Sequence, residues 1–172
     1  MIYVSPMISR TSFLEPEGWH AVNDGVMGGV SAGSMSFETD IAVFAGELSL
    51  EHGGGFASVR RELRPGVLAG ATGLSMRVRG DGRRYQCRVG TDQTAPGISY
   101  AASFDTVAGQ WLEVSLAWPA FEAVFRGRDV PDAPRLSPER IDRVGFLLAD
   151  RQPGPFRLEI ASITADRHVD DS

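Results

Sequence analysis

The chain has 172 residues, 42% of them hydrophobic and 23% charged, with a formal net charge of -5 at pH 7. That size and composition fit one globular domain able to bury a core without disulfides, and they exclude a disordered chain. The acidic balance gives no general nucleic-acid signal, and no apolar run reaches the length of a membrane span.

All 17 basic residues are arginine. Compositional drift accounts for such a bias, and so does a need for planar, bidentate contacts. Cys87 is the single cysteine, so no intramolecular disulfide can form. It has no sequence-adjacent histidine and reads as a buried thiol. Met1 to Phe13 lacks the apolar region and cleavage site of a secretory signal. A cytoplasmic protein is expected.

In chain order, the first distinctive stretch follows Trp19 and Val22. Asn23-Asp24-Gly25-Val26-Met27-Gly28-Gly29 suits tight turns. It reads as a buried turn, or as a loop in which Asp24 and backbone amides meet a polar ligand. Glu51-His52 precedes Gly53-Gly54-Gly55, a second close-backbone turn.

Alternating runs then dominate. They are Leu74-Met76-Val78, Tyr85-Cys87-Val89, Tyr100-Ala102-Phe104, Leu112-Val114-Leu116, Val144-Phe146-Leu148 and Phe156-Leu158-Ile160. A period of two predicts half-buried strands, and the Gly, Pro and Asp clusters between them predict turns. The pattern is that of an all-β, jelly-roll-like sandwich with at most short helical turns. Phe125 to Arg135 reads as a long loop. Ser137-Pro138-Glu139 predicts one helical turn before the strand at Val144. One domain covers residues 1–172, with its core over about 12–165 and a flexible polar tail from 166.

Asp81-Gly82 carries a strong two-residue hairpin signal. Centred there, the register sets Val78 opposite Tyr85, Met76 opposite Cys87 and Leu74 opposite Val89. The other side of that ribbon sets Arg79 opposite Arg84, Arg77 opposite Gln86 and Ser75 opposite Arg88. Four arginines would then share one face. Solvent or neighbouring acids would screen them, or they would form a surface for a carboxylate, a phosphate or an acidic protein segment. Asp24, Glu51 and Asp150 are the candidate internal counter-charges. Arg126 and Arg128 flank Gly127 beside Phe125, near Trp111, Trp118 and Phe121. That grouping reads as an aromatic core with snorkelling arginines, or as a protein-binding hot spot.

Linear catalytic motifs are absent. There is no phosphate-binding loop, no dinucleotide fingerprint, no Gly-x-Ser-x-Gly elbow and no carboxylate spacing that identifies a glycosidase. His20, His52 and His168 form no zinc pattern. Calcium needs only oxygen ligands, which sandwich loops supply without a linear signature. No catalytic residue, metal ligand set or cofactor is assigned.

Several separated segments carry a family resemblance. They are Trp19 to Ser31, Phe44 to Glu51, Gly54 to Arg60, Arg79 to Tyr85, Phe125 to Arg128 and Gly154 to Ile160. Together, over about Trp19 to Ala165, the chain resembles the CIA30 family, complex I intermediate-associated protein 30. The resemblance implies a galactose-binding-like jelly roll, similar to some carbohydrate-binding modules, and a non-enzymatic role. Mitochondrial members of that family assist assembly of respiratory complex I, NADH:ubiquinone oxidoreductase. Plant and cyanobacterial relatives carry the domain beside a nucleotide-binding one. This chain looks like a stand-alone bacterial member. It departs from the family pattern at His52, where Asn is usual, and at Leu116-Ala117-Trp118-Pro119, where a Leu-Pro-Phe-like stretch is common.

The expected function is protein binding, as an interaction or assembly-factor module. The alternative is a module for carbohydrate or an anionic small ligand, and neither nucleic acid nor membrane insertion is expected. The candidate binding surface is Arg77, Arg79, Arg84, Arg88, Arg126 and Arg128. The candidate motif-loop positions are Trp19, Asn23, Asp24, Met27, Gly28, Gly29, Glu51 and Asp81.

Overall fold

The computed structural model describes residues 18–23, 31–51 and 54–167. Two antiparallel sheets pack face to face. The strands are β1 (Trp19–Ala21), β2 (Ala32–Glu38), β3 (Ile41–Leu48), β4 (Ala57–Glu62), β5 (Ala71–Arg79) and β6 (Arg84–Thr91). They continue with β7 (Ile98–Asp105), β8 (Trp111–Ala117), β9 (Glu122–Phe125), β10 (Arg128–Asp129), β11 (Ile141–Leu148) and β12 (Gly154–Arg167). One sheet has the order β1-β4-β11-β6-β7-β9-β10 and the other β2-β3-β12-β5-β8.

The alternation seen in the sequence is the burial pattern. Leu74, Met76, Val78, Tyr85, Cys87, Val89, Phe146, Leu158 and Ile160 are all buried, and Cys87 is the interior thiol expected. Each large side chain taken from water contributes about 1.5–3 kcal/mol. Aromatic rings knit the sheets: Phe44 on β3 meets Phe156 on β12 at 4.9 Å and Tyr85 on β6 at 6.2 Å. Trp19 stacks on Phe146 at 6.4 Å, which places this motif residue in a packing role.

The hairpin expected at Asp81-Gly82 does not form. β5 lies between β12 and β8, whereas β6 lies in the other sheet between β11 and β7. Val78 is therefore beside Ile160 and Leu112, and Tyr85 is beside Phe104. The segment 80–83 crosses from one sheet to the other, and the β7–β8 connection crosses back beside it. Gly80 bridges Ala108, and Gly109 N donates to Gly80 O at 3.0 Å. Gly82 N donates to Thr106 Oγ1 at 3.0 Å, and that hydroxyl donates to Arg83 O at 2.6 Å. The crossing thus satisfies its backbone groups against the second crossing, without a ladder between β5 and β6. Gly82 has a φ of 96°, so the dipeptide marks a real turn of a different kind.

Three smaller differences follow from backbone pairing. Phe125 to Asp129 is part of a hairpin: β9 and β10 are joined by Arg126-Gly127 with φ of 50° and 80°. The turn expected near Ser137 is a 3-10 turn over Pro138–Arg140, but the Ser137 hydroxyl does not cap it. β12 runs to Arg167, whose Nη1 donates to Ala69 O at 2.7 Å, two residues into the expected tail.

Candidate functional site

The two outer faces differ in how their charges are satisfied. On the five-stranded sheet, Arg77 pairs with Glu113 at 3.1 Å. Arg79 pairs with Glu159 at 2.7 Å, and Arg157 joins Glu159 at 2.9 Å and Glu38 at 3.4 Å. Burial works against ionisation of Glu159, but hydrogen bonds from Arg157 and Arg79 outweigh it and hold the carboxyl below its ordinary value. The Trp111 ring lies 5.3 Å from the Arg77 guanidinium and 4.8 Å from that of Arg79. On this closed face Arg77, Arg79 and Arg157 are all ion-paired.

The seven-stranded sheet carries a groove of about 840 Å³ on its outer face. Strand register sets three of its lining residues, His20, Arg60 and Arg88, in one row. His20, Arg60, Gly145, Arg88, Ala101 and Glu122 are successive partners across β1, β4, β11, β6, β7 and β9. Partners in register point to the same face, so one row of side chains crosses the sheet. The segments 54–56 and 92–98, with the Arg126-Gly127 turn, border the groove. Phe56 is the only Phe, Tyr or Trp among the described lining residues.

Arg88 is fixed on the floor by neutral acceptors. Its Nε donates to Gln86 Oε1 at 2.8 Å and its Nη1 to Ser99 Oγ at 2.9 Å. Burial lowers its pKa to about 10, still well above neutrality. Among the described residues, Arg60, Arg88 and Arg126 have no carboxylate partner. Arg126 is held over the Phe125 ring at 5.2 Å. Arg143 also lines the groove and has Asp142 Oδ1 at 3.3 Å from its Nη1.

The arginine face expected from the sequence is therefore split between the two sheets. Arg77 and Arg79 lie on the closed face. Arg84 lies on the seven-stranded sheet paired with Asp105 at 2.9 Å, and Arg88 lies in the groove. Arg126 is at the groove rim, and Arg128 is exposed on the edge strand β10.

The described motif-loop residues, Trp19, Asn23, Glu51 and Asp81, do not converge on one site. Asn23 donates to Gly33 O and accepts from Ser58 N, both at 3.1 Å, and so ties β2 to β4. Asp81 is a structural node: it accepts from Tyr85 Oη at 3.0 Å, Arg157 N at 2.8 Å and Arg83 N at 3.2 Å. Glu51 is exposed. Asp24, Met27, Gly28 and Gly29 lie outside the described residues, as does His52. Of the other proposed counter-charges, Asp150 pairs with Arg83 at 2.9 Å, and neither residue lines the groove. Trp118 and Phe121 are buried and Trp118 Nε1 donates to Ala71 O at 2.7 Å, which favours the core reading of that cluster.

Sequence reasoning missed Arg60 and Arg143 as site residues. Both stand at polar positions of alternating strands. Only the adjacency of β4, β11 and β6 brings them beside Arg88. Among the described residues, no group of three or more His, Cys, Asp or Glu is placed to hold a metal ion, and no helix is long and apolar enough to cross a membrane.

The described residues form a jelly-roll-like sandwich of twelve strands with a groove on one sheet, and that fold defines the class. Solved structures of that shape include the family 11 carbohydrate-binding module of the cellulosomal cellulase Lic26A-Cel5E of Clostridium thermocellum. It matches with a TM-score of 0.73 at 12% identity, covering 94% of this chain and 95% of that one. The Clostridium thermocellum family 11 module in complex with a β-1,3-1,4-mixed-linked tetrasaccharide matches at 0.68 and 13% identity, over 92% and 94% of the two chains. At such identities the likeness is one of fold. The chain belongs to the family of complex I intermediate-associated protein 30, whose profile matches residues 9–160. A relative named complex I intermediate-associated protein 30, mitochondrial, from Neurospora crassa, is 27% identical over 100 residues, 58% of this chain. The match spans 36% of that relative's length.

Proposed function

We propose that this chain is a non-catalytic interaction module, that its ligand site is the groove on the seven-stranded sheet, and that its partner is a protein. One observation carries the reading. Arg60, Arg88 and Arg126 bring to one concavity three guanidinium groups that have no carboxylate partner among the described residues, while Arg77, Arg79 and Arg157 on the opposite face are ion-paired. Guanidinium groups whose charge meets no carboxylate among the described residues favour a partner with anionic or carbonyl-rich surface. The family supports an assembly-factor role, with a respiratory complex I intermediate as the first partner to test. The carbohydrate reading is supported by the fold neighbours described as carbohydrate-binding modules. The groove favours the protein reading, because Phe56 is its only described platform ring for a sugar.

Ala149 is exposed and lines the groove, so Ala149→Trp fills the site without disturbing the core. Tagged wild-type chain and Ala149→Trp are used in a pull-down from host lysate, beside a glycan array. A protein captured by the wild type and lost with Ala149→Trp is expected, with a blank array. Capture insensitive to Ala149→Trp, or glycan binding that Ala149→Trp removes, overturns the reading.

A further inference from the structure

The middle of the groove floor has an unusual composition. Arg60 on β4, Gly145 on β11 and Arg88 on β6 are direct neighbours in register. Adjacent strands lie about 4.8 Å apart, so the two arginine backbones are roughly 10 Å apart with no side chain between them. A separate recess of about 80 Å³ lies there, lined by Arg60, Arg88, Arg143, Ser99, Leu147 and Gly90 among others. Gly90 makes room for the third guanidinium: a Cβ there would stand 2.2 Å from Arg143 Nη2. Three arginines thus line one recess, with the glycine backbones of Gly90 and Gly145 among its walls.

The recess has room for a carboxylate, not for a hexose ring. Arg88 is already held by Gln86 and Ser99, so little freedom remains to be lost when an anion arrives. A phosphate polymer fits less well, because Glu62, Asp92 and Asp142 line the same groove and its backbone has no N–H donors to offer them. An acidic polypeptide brings backbone N–H groups to those acids together with its own carboxylates. Resting on the groove as the ligand site, we propose that the recess at Gly145 is a carboxylate subsite, through which the groove selects an extended acidic polypeptide segment.

Fluorescence anisotropy tests this with labelled hexaglutamate and hexaglutamine on the full chain. Wild type binds hexaglutamate at least about tenfold more tightly than hexaglutamine, and the preference weakens as salt rises. Arg88→Gln and Arg60→Gln each lose about tenfold for hexaglutamate while retaining the wild-type circular dichroism spectrum. Arg88→Lys falls between, since an ammonium keeps the charge without the fork. Arg77→Gln, on the opposite sheet, leaves affinity unchanged. Equal binding of the two peptides, no hexaglutamate binding by wild type, or unchanged binding in folded Arg88→Gln each overturns the proposal. Retained hexaglutamate binding in Ala149→Trp instead overturns the groove reading itself. Loss with Ala149→Trp but not with Arg88→Gln overturns only the recess.

Discussion

Tyr85 donates its phenol hydrogen to the carboxylate of Asp81, 3.0 Å from Oδ1 and 3.1 Å from Oδ2, out of a ring with no exposed surface. Burial, and after it the Asp81 charge, pushes the phenol far above its ordinary value of 10.0, so it stays a donor. The same carboxylate receives Arg157 N from the five-stranded sheet and Arg83 N from the crossing. This pair pins the place where the chain leaves one sheet for the other.

Asp81→Ala strips three donors of their acceptor and leaves the buried Tyr85 hydroxyl without its partner. A loss of about 2–4 kcal/mol is expected, against about 1 kcal/mol for Tyr85→Phe, where Asp81 keeps its other donors. Urea titration checks the order, and equal losses would remove Asp81 as the node.

Cys87 is buried, and burial pushes its thiol from an ordinary 9.0 up to about 12. The unfolded thiol ionises first, so this contribution to stability is complete below about pH 9 and is lost as pH rises towards 12. At pH 8 a thiol-exchange reagent should label native protein no faster than the protein opens, and should label one thiol per chain in denaturant. Rapid native labelling would contradict the burial.

Glu159→Gln tests the closed face. Because the folded carboxyl lies below its ordinary 4.5, its contribution is present above that pH and is lost as pH falls through the folded value. Arg79 and Arg157 are partly exposed, so solvent screening limits the expected loss at pH 7 to about 0.5–1 kcal/mol. The gap between variant and wild type should narrow in denaturant titrations carried down to pH 3.

Arg126 holds a φ of 50° at the groove rim, a conformation asparagine adopts more readily. Arg126→Asn is expected to raise the melting temperature while weakening capture of the groove's partner. Scanning calorimetry and the pull-down read the two effects separately. Coupled loss of stability and capture would assign Arg126 a structural role alone.

Gly90 and Gly145 should respond in opposite ways to alanine. At Gly90 the added carbon meets only the flexible end of Arg143, whereas at Gly145 it meets Val59 O at 2.3 Å. Gly145→Ala is expected to cost about 1–3 kcal/mol. Gly90→Ala should fold nearly as well as wild type and lose groove binding as Arg143 is displaced. Denaturation curves with hexaglutamate anisotropy distinguish the two.

The alternation of Leu74, Met76 and Val78, and of Tyr85, Cys87 and Val89, was enough to say which side chains are buried and that the domain is a sandwich. Of the groove, Arg88 and Arg126 were legible as candidates, and the glycine-bearing recess between Arg60, Arg88 and Arg143 was not. Burial is written locally, since a period of two needs only the neighbours in sequence. Lateral pairing is not, because backbone hydrogen bonds are alike at every residue and any two alternating strands can share them. The turn at Asp81-Gly82 was thus determined by the sequence alone. Tertiary structure decided that it carries the chain between sheets, where Thr106 receives Gly82 N and donates to Arg83 O, and the Asp81 carboxylate receives Arg83 N.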